Sequence, residues 1–278
     1  MPHSTTAPLL AATPRIHRVL ALIRLPYEYF VLYGGLLLFT VAFFLWSALA
    51  TLLYPLLPRG LGTRFGRRAA MVMFRAYVAV LKATGLFKFD LRALDALRDE
   101  GALIIAPNHP SLIDAVLVGS RLPRIVCIMK SGIPENPILG GGARLAAYIR
   151  DDVPLTMIRS ATAALKGGNQ LLMFPEGTRT QPYARCRFKR GYALIAKAAG
   201  VPVQTVIIEA NTMFLGKGWP LFKKPAFPVV FTARLGRRFD VTGDVRAAVA
   251  DMERYHRDAL AAVSVRATAD NPDAKAVV

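Results

Sequence analysis

A long stretch without charge, from 29 to 58, constrains the fold of this chain more than any other feature. A helix of that length would measure about 45 Å, whereas the hydrocarbon core of a bilayer is about 30 Å thick. Because positive charges favour the cytoplasmic side, basic residues on both flanks favour a helix that enters and leaves the membrane on one side, with a single span as the alternative. The flanking arginines are Arg15, Arg18, Arg24, Arg59, Arg64, Arg67 and Arg68.

A second helix is predicted over 64–84, where basic residues alternate with apolar ones at helical spacing. Together with the first helix it would form a pair that lies in the membrane surface rather than crossing it. We therefore expect residues 1–85 to form an N-terminal tail and a membrane-embedded two-helix anchor, and residues 86–278 to form a separate domain. Two buried helices of a soluble protein are the alternative.

The charge of the chain points to acidic partners. It has 36 Lys and Arg against 18 Asp and Glu, a net charge of +18. A balance this basic indicates nucleic acid, acidic lipid headgroups or phosphorylated substrates. The mean hydropathy of +0.36 argues against a nucleic-acid binder, and basic charge combined with apolar character favours anionic membrane lipids.

From about residue 86 the pattern alternates between short apolar strands and amphipathic helices. This alternation predicts an α/β fold with a largely parallel or mixed sheet flanked by helices, behind the N-terminal membrane-associating helix pair. Ligands bind such sheets outside the carboxyl ends of the strands. The predicted strands are 87–91, 102–106, 124–129, 170–174, 203–209 and 228–235, and the predicted helices are 112–120, 137–147, 155–166, 188–199 and 244–263.

His109 and Asp114 follow the predicted strand at 102–106. Pro110 fits the first helical position, where a missing N–H costs nothing, so His109 is expected near the N-cap and Asp114 in the second turn. A carboxylate bonded to one imidazole nitrogen orients the ring and stabilises the imidazolium that forms when the other nitrogen takes a proton. We interpret the two as a candidate general base and its partner, with a chance histidine at a helix start as the alternative. Ser111 is a candidate substrate contact or a helix-start hydrogen bond.

A second polar motif leaves the predicted strand at 170–174. Gly177 allows a tight turn whose backbone N–H groups can cradle an anion, and Arg179 offers a planar fork suited to phosphate oxygens. Glu176 can fix this arginine or a substrate hydroxyl. Both motifs follow strands, so we expect them at one edge of the sheet, where they would form a single site.

The two motifs together resemble those of the glycerolipid acyltransferase family, which includes the 1-acylglycerol-3-phosphate acyltransferases. The resemblance rests on Asn108-His109 with Asp114, followed by Phe-Pro-Glu-Gly-Thr-Arg at 174–179, and it extends over roughly 86–240. A further segment at 147–150 ends in an arginine, as in the family. The helix pair at the N-terminus also looks like that of bacterial members.

The resemblance implies roles for named residues. His109 would deprotonate an acceptor hydroxyl and Asp114 would orient it, while Arg179 would bind the acceptor's phosphate. The resemblance implies that the acceptor is bound by Glu176, Gly177, Thr178 and Arg179, with Lys130 and Arg150 as further phosphate contacts. Ser111 completes the expected substrate-binding set by its position.

The implied reaction transfers a fatty acyl group to 1-acylglycerol-3-phosphate and gives phosphatidate. The donor would be an acyl thioester of acyl carrier protein or coenzyme A, both of which are acidic and suit a basic chain. We expect no cofactor, no metal and no nucleic-acid partner. The expected location is a bacterial inner membrane, with the catalytic domain facing the cytoplasm.

Three alternatives remain open at this level. Arg144, Ile149 and Thr205 depart from the family's pattern in regions that shape the acceptor and acyl pockets, so another hydroxylated lipid is a possible acceptor. A non-catalytic basic membrane-binding module is a second reading, and a lipid thioesterase is a third. The four histidines and two cysteines, Cys127 and Cys186, have no usual metal-site spacing.

Overall fold

The computed structural model describes residues 13–130, 132–136, 140–180 and 187–270. The first part of the expected N-terminal tail, residues 1–12, lies outside this set. The fold begins with two long helices, α1 at Thr13–Leu56 and α2 at Arg59–Ala83, joined by a short turn. Both predicted N-terminal helices are therefore present, and each begins earlier than the sequence pattern indicated.

A seven-stranded mixed sheet follows, and the predicted α/β class is confirmed. The strands are β1 (Phe87–Asp90), β2 (Ile104–Pro107), β3 (Ile125–Met129), β4 (Ile149–Arg150), β5 (Gln170–Leu172), β6 (Val203–Ala210) and β7 (Val229–Phe239). Their order in the sheet is β1-β7-β6-β2-β5-β3-β4. Neighbouring strands run parallel except β6 and β7, which are antiparallel. The carboxyl ends of β2 to β6 therefore share one edge, called here the upper edge, and β1 ends at the opposite edge.

Helices cover both faces of the sheet. They are α3 (Asp114–Gly119), α4 (Gly132–Glu135), α5 (Gly140–Leu145), α6 (Pro154–Lys166), α7 (Gly191–Ala199) and α8 (Val245–Asp270), with a 3-10 helix at Arg92–Leu97. Side chains alternate along each strand, so Ile105 joins a core with α1, α2 and α3, while Ile104 joins a core with α6, α7 and α8.

The first of these cores is shared between the N-terminal helices and the sheet. Val31 and Leu32 of α1 and Leu81 of α2 are buried in the same cluster as Leu117 of α3 and Leu94 of the 3-10 helix. The two long helices are therefore packed parts of the fold rather than a tethered extension.

Polar contacts join α1 to the α/β part of the chain at two widely separated places. Near its start, Glu28 forms an ion pair with Lys224 of the β6–β7 connection. Further along, Ser47 Oγ accepts a hydrogen bond of 2.9 Å from the N–H of Gly141 in α5, and Thr51 Oγ1 accepts one of 3.2 Å from Arg144. Glu28 and Thr51 lie about 35 Å apart along a helix, so α1 runs lengthwise beside the domain.

Two local expectations were wrong. The helix predicted at 112–120 begins only at Asp114, because the preceding turn is fixed to the loop after β6: the N–H of Leu112 donates to the Leu215 carbonyl at 3.0 Å. Pro110 is therefore not a first helical residue, His109 lies five positions before the helix, and Asp114 is in its first turn. The helix predicted at 137–147 corresponds to α5 alone, which ends two residues early at Leu145; α4 at Gly132–Glu135 precedes the predicted range, and residues 137–139 lie outside the described residues.

Candidate active site

His109 and Asp114 form a bonded pair just beyond the carboxyl end of β2. His109 Nδ1 lies 2.9 Å from Asp114 Oδ2. The Asp114 carboxylate is fully buried, whereas the His109 side chain retains 16% of its exposure. The imidazole is thus held from behind by the carboxylate, with part of the ring reachable from outside.

Burial controls the charge of Asp114. Removal from water raises the pKa of this carboxyl to about 6, against the opposing influence of the bond from His109. The N–H of Ser111 donates to Asp114 Oδ2 at 2.7 Å, while Oδ1 has no hydrogen-bond partner among the described residues. A carboxylate with so little solvation is strongly stabilised by a positive charge on the neighbouring imidazole.

The second motif lies directly against this pair. The ring of Phe174 stacks on the His109 imidazole, with centroids 3.9 Å apart and planes inclined by 18°. Thr180 Oγ1 accepts the N–H of His109 at 2.8 Å, and the Thr180 N–H donates to the His109 carbonyl at 2.7 Å. The Thr180 hydroxyl in turn donates to Glu176 Oε1 at 2.5 Å. The expected meeting of the two motifs at one edge of the sheet is therefore observed.

Arg179 and Ser111 both hold the loop that follows β6. Arg179 Nη1 donates to the carbonyls of Leu215 at 3.0 Å and Gly216 at 2.9 Å. The Ser111 hydroxyl donates to the Phe214 carbonyl at 2.7 Å and is completely buried. Ser111 therefore positions the loop, and its expected contact with substrate is wrong because its hydroxyl is enclosed and already bonded.

The turn that carries Gly177 is open to solvent. Gly177 adopts a φ of 65°, a region that favours glycine, and both Gly177 and Thr178 are exposed. An added Cβ at Gly177 would meet the end of the Lys189 side chain, so this lysine lies close over the turn. Exposed backbone, a nearby ammonium and the Arg179 guanidinium together form a surface suited to an anion.

Lys130 and Arg150 lie farther along the same edge. Lys130 is exposed directly after β3, and Arg150 ends β4 with an ion pair of 2.6 Å to Asp152. Strands β3 and β4 are two and three positions from β2 in the sheet, which places their ends roughly 10 and 14 Å away. Arg150 also lines a cavity of about 590 Å³ between β4, α6 and α2. Their expected phosphate contacts stay predictions.

Several residues that build the site escaped the sequence analysis. Phe174 was quoted in the strand and in the second motif without a role, and Thr180 was given no role. Asn108 was quoted in the motif without a role; its amide donates to the Ile208 carbonyl at 2.8 Å and accepts the Ile208 N–H at 2.7 Å, which fixes the end of β2 to β6. The position of Asn108 immediately before His109 was the one sequence feature that could have indicated this role.

The described residues contain no group of three or more His, Cys, Asp or Glu able to hold a metal ion. Burial raises the pKa of the Cys127 thiol to about 12, so this sulfur is not a thiolate nucleophile at neutral pH. Cys186 lies outside the described residues.

Comparison with known proteins relates the chain to acyltransferases. A family model described as acyltransferase matches residues 88–209, which include both motifs. The 1-acyl-sn-glycerol-3-phosphate acyltransferase of Pseudomonas aeruginosa is 22% identical, over 78% of this chain and 84% of that protein. The protein of the same name from Limnanthes douglasii is 28% identical, over 69% of this chain and 67% of that protein.

A nematode relative matches over a shorter length. The putative 1-acyl-sn-glycerol-3-phosphate acyltransferase of Caenorhabditis elegans is 29% identical over 51% of this chain, which spans only 56% of that protein. Among solved structures, the 1-acyl-sn-glycerophosphate acyltransferase PlsC from Thermotoga maritima superposes with a TM-score of 0.51 at 18% identity. The match covers 80% of this chain and 92% of that one, and it supports the fold.

Proposed function

From the acyltransferase family model over residues 88–209 and the similarity to 1-acyl-sn-glycerol-3-phosphate acyltransferases, we propose that the chain is a glycerolipid acyltransferase, which transfers a fatty acyl group from an acyl thioester to the free hydroxyl of a lysophospholipid. The acceptor we favour is 1-acylglycerol-3-phosphate, which would give phosphatidate. The observation that carries the proposal is the 2.9 Å contact between His109 and a fully buried Asp114, directly beside the Glu176–Arg179 turn.

In the proposed reaction His109 is the general base. Its Nδ1 faces Asp114, so Nε2 is the nitrogen that takes the proton from the acceptor hydroxyl. The hydroxyl oxygen then bonds to the thioester carbonyl carbon and forms a tetrahedral oxyanion. The C–S bond breaks, and the leaving thiolate takes the proton from the imidazolium. The buried carboxylate stabilises that imidazolium between the two proton transfers.

The acceptor would bind along the Glu176–Arg179 turn. The Gly177 N–H closes the turn by donating to the Phe174 carbonyl at 3.0 Å, so the backbone donor to the acceptor's phosphate at the exposed turn would be the Thr178 N–H. Arg179 uses Nη1 to hold the loop after β6, so its remaining donors would face the phosphate. Lys130 and Arg150 would add positive charge farther along the edge. The position of the Glu176–Arg179 turn directly beside His109 suits an acceptor whose anionic group lies a few ångströms from the reacting hydroxyl.

The donor would be a thioester of acyl carrier protein or coenzyme A. Both are acidic, and a net charge of +18 favours their approach. The reaction as written needs no metal and no further cofactor, because the thioester supplies the activated acyl group.

The N-terminal helices would hold the protein on a membrane in a monotopic arrangement, with the catalytic domain on the cytoplasmic side. Residues Ile23–Leu56 form an apolar helix long enough to cross a bilayer. A perpendicular span would separate Glu28 from Thr51 by the thickness of the hydrocarbon core, yet both contact the same domain. In this proposal residues 1–85 are the anchor and residues 86–278 the acyltransferase domain.

The test is an assay of purified full-length protein in lipid vesicles. Acyl-CoA and acyl-carrier-protein thioesters are supplied with a panel of lysolipids, and the products are identified by mass spectrometry. We expect phosphatidate from 1-acylglycerol-3-phosphate, and at most a trace of diacyl product from a His109→Ala variant. Free fatty acid formed equally with and without acceptor would contradict the proposal and indicate a thioesterase. A different diacyl lipid as the main product would change the acceptor and keep the chemistry.

A further inference from the structure

The connection between β6 and β7 presents two apolar side chains at the tip of a tight turn. The turn is closed by a hydrogen bond of 2.9 Å from the Lys223 N–H to the Pro220 carbonyl. Leu221 and Phe222 at its apex are 53% and 73% exposed. We call residues Pro220–Lys223 the β6–β7 tip. Two adjacent, strongly exposed apolar residues on an ordered turn are typical of an interaction surface when they continue a larger apolar patch.

The tip is held in place from below. Trp219 Nε1 donates to the Lys223 carbonyl at 3.1 Å, and the Lys223 ammonium lies 5.1 Å from the centre of the Trp219 ring. The Trp219 ring packs edge-on against buried Phe214, with centroids 6.2 Å apart. The exposure of Leu221 and Phe222 is therefore built into the fold.

The tip also lies beside α1. The rings of Tyr33 and Phe222 are 6.2 Å apart, and the Tyr33 hydroxyl donates to the Phe222 carbonyl at 3.5 Å. The outward face of α1 near this contact is itself apolar, with Phe30 and Leu37 exposed by 74% and 64%. The tip thus extends the apolar face of α1 onto the catalytic domain.

The charges around the tip identify its partner. Lys217 and Lys223 are exposed on either side of the apolar pair. An apolar apex with flanking ammonium groups matches the boundary of a bilayer, where acyl chains meet acidic headgroups. We propose that the β6–β7 tip inserts into the surface of an anionic bilayer as a second membrane contact, additional to that of the N-terminal helices.

This contact would fix the candidate site relative to the lipid. The segment just before the tip is the one held by the site: the Ser111 hydroxyl bonds to the Phe214 carbonyl, and Arg179 bonds to the carbonyls of Leu215 and Gly216. The Trp219 N–H then donates to the Gly216 carbonyl at 3.1 Å. A tip seated in the bilayer therefore sets the height of the His109 loop above the membrane.

The direct test places a fluorophore on the tip. In full-length protein with Cys127→Ala and Cys186→Ala, a Phe222→Cys substitution carries an environment-sensitive label, and the protein is added to vesicles of phosphatidylcholine with phosphatidylglycerol. The matched control is Ala96→Cys, an exposed position in the 3-10 helix after β1, at the opposite edge of the sheet. No turnover is required, so this test is independent of the proposed reaction.

We expect the label at position 222 to shift to shorter wavelength, to be quenched by nitroxide lipids and to lose most of its quenching by aqueous iodide. The label at position 96 should remain open to iodide. A label at 222 that stays fully open to iodide while the protein is vesicle-bound would overturn the proposal. Equal insertion of the label at 222 into vesicles of phosphatidylcholine alone would contradict the proposed preference of the tip for anionic lipid.

A second measurement links the tip to turnover and rests on the proposed function. A double variant, Leu221→Ser with Phe222→Ser, should raise KM severalfold for a lysolipid presented in vesicles. It should leave turnover of a short-chain, water-soluble lysolipid unchanged, because that acceptor does not require contact with the bilayer. An unchanged KM on vesicles would contradict the role of the tip without affecting the assignment of His109.

Discussion

Thr180 joins the two halves of the site: its hydroxyl accepts the His109 N–H at 2.8 Å, and its own N–H returns to the His109 carbonyl at 2.7 Å. The same hydroxyl donates to Glu176 at 2.5 Å. Thr180 is buried, with 7% exposure. The backbone of the candidate base is therefore fixed by the end of the second motif, which lies some seventy residues later in the chain.

Replacing Thr180 by valine should weaken both the fold and the activity. Valine keeps the shape and removes the hydroxyl, which leaves the His109 N–H without its acceptor at a buried position. We expect a loss of about 1–3 kcal/mol in the free energy of unfolding and a clear fall in kcat. Thr180→Ser, which retains the hydroxyl, is the control and should keep most of the stability and most of the kcat. Equal losses in the two variants would contradict the role of the hydroxyl, because Thr180→Ser retains it.

His109→Ala should reduce turnover by about 10²–10⁴-fold, the usual contribution of a general base. The protein should remain folded and vesicle-bound, as judged by circular dichroism and flotation. The matched control is His256→Phe. His256 is buried on the other face of the sheet beside Phe188 and Tyr255, and burial lowers its pKa to about 4, so this ring is neutral under assay conditions. Comparable loss in both variants would remove the special role of His109.

Asp114 should make stability and activity depend on pH in opposite directions. Burial raises its pKa from 3.8 to about 6, so the folded state binds the proton more tightly than the unfolded state does. The contribution of Asp114 to stability is therefore greatest below about pH 4 and decreases as the pH rises through about 6. The shift of about two pKa units corresponds to roughly 2–3 kcal/mol. Activity should rise across the same window, because the ionised carboxylate supports the imidazolium.

The comparison for this prediction is Asp114→Asn. Thermal unfolding of both proteins between pH 4 and 7 should show the native protein losing stability relative to the variant by roughly 2–3 kcal/mol. The variant should be nearly inactive throughout, because an amide does not stabilise the imidazolium. A stability difference that stays flat with pH would mean that the carboxyl titrates normally.

Comparing Gly177→Ala with Gly168→Ala should separate the cost of backbone strain from an effect on acceptor binding. Gly177 and Gly168 both have positive φ, 65° and 78°, so alanine at either position should cost about 1–2 kcal/mol of unfolding free energy. The neighbouring Lys189 side chain is flexible and can move away from an added methyl group. Gly168 lies at the lower edge, before β5, and nothing surrounds it closely. We expect only Gly177→Ala to raise KM for the acceptor; an equal rise in Gly168→Ala would trace the effect to stability.

Most of the fold could be predicted because its strands are buried apolar runs bounded by glycine or proline. β2 follows Gly101 and ends at Pro107, which is enough to locate it within two residues. β4 was missed because two residues carry no periodicity; Ile149 and Arg150 are a strand only through pairing with Ile128 and Met129. Such an element is defined by its neighbour rather than by its own sequence.

The site could be predicted only in part for a similar reason. His109, Asp114 and the Glu176–Arg179 turn are recognisable because their residue types carry the chemistry. The stacking of Phe174 on His109 and the bonds from Arg179 to backbone carbonyls could not be predicted from the sequence. Every residue has a backbone carbonyl, so the residue types at 215–216 do not indicate that an arginine binds there.

The core that α1 and α2 share with the sheet limits how this protein can be studied. Val31, Leu32 and Leu81 seal one flank of the sheet, so cutting the chain at residue 85 would not release a water-soluble catalytic fragment. Such a fragment would expose the apolar side chains those helices cover, and it would aggregate. Detergent or lipid must therefore accompany the enzyme from purification to assay, even for experiments that concern chemistry alone.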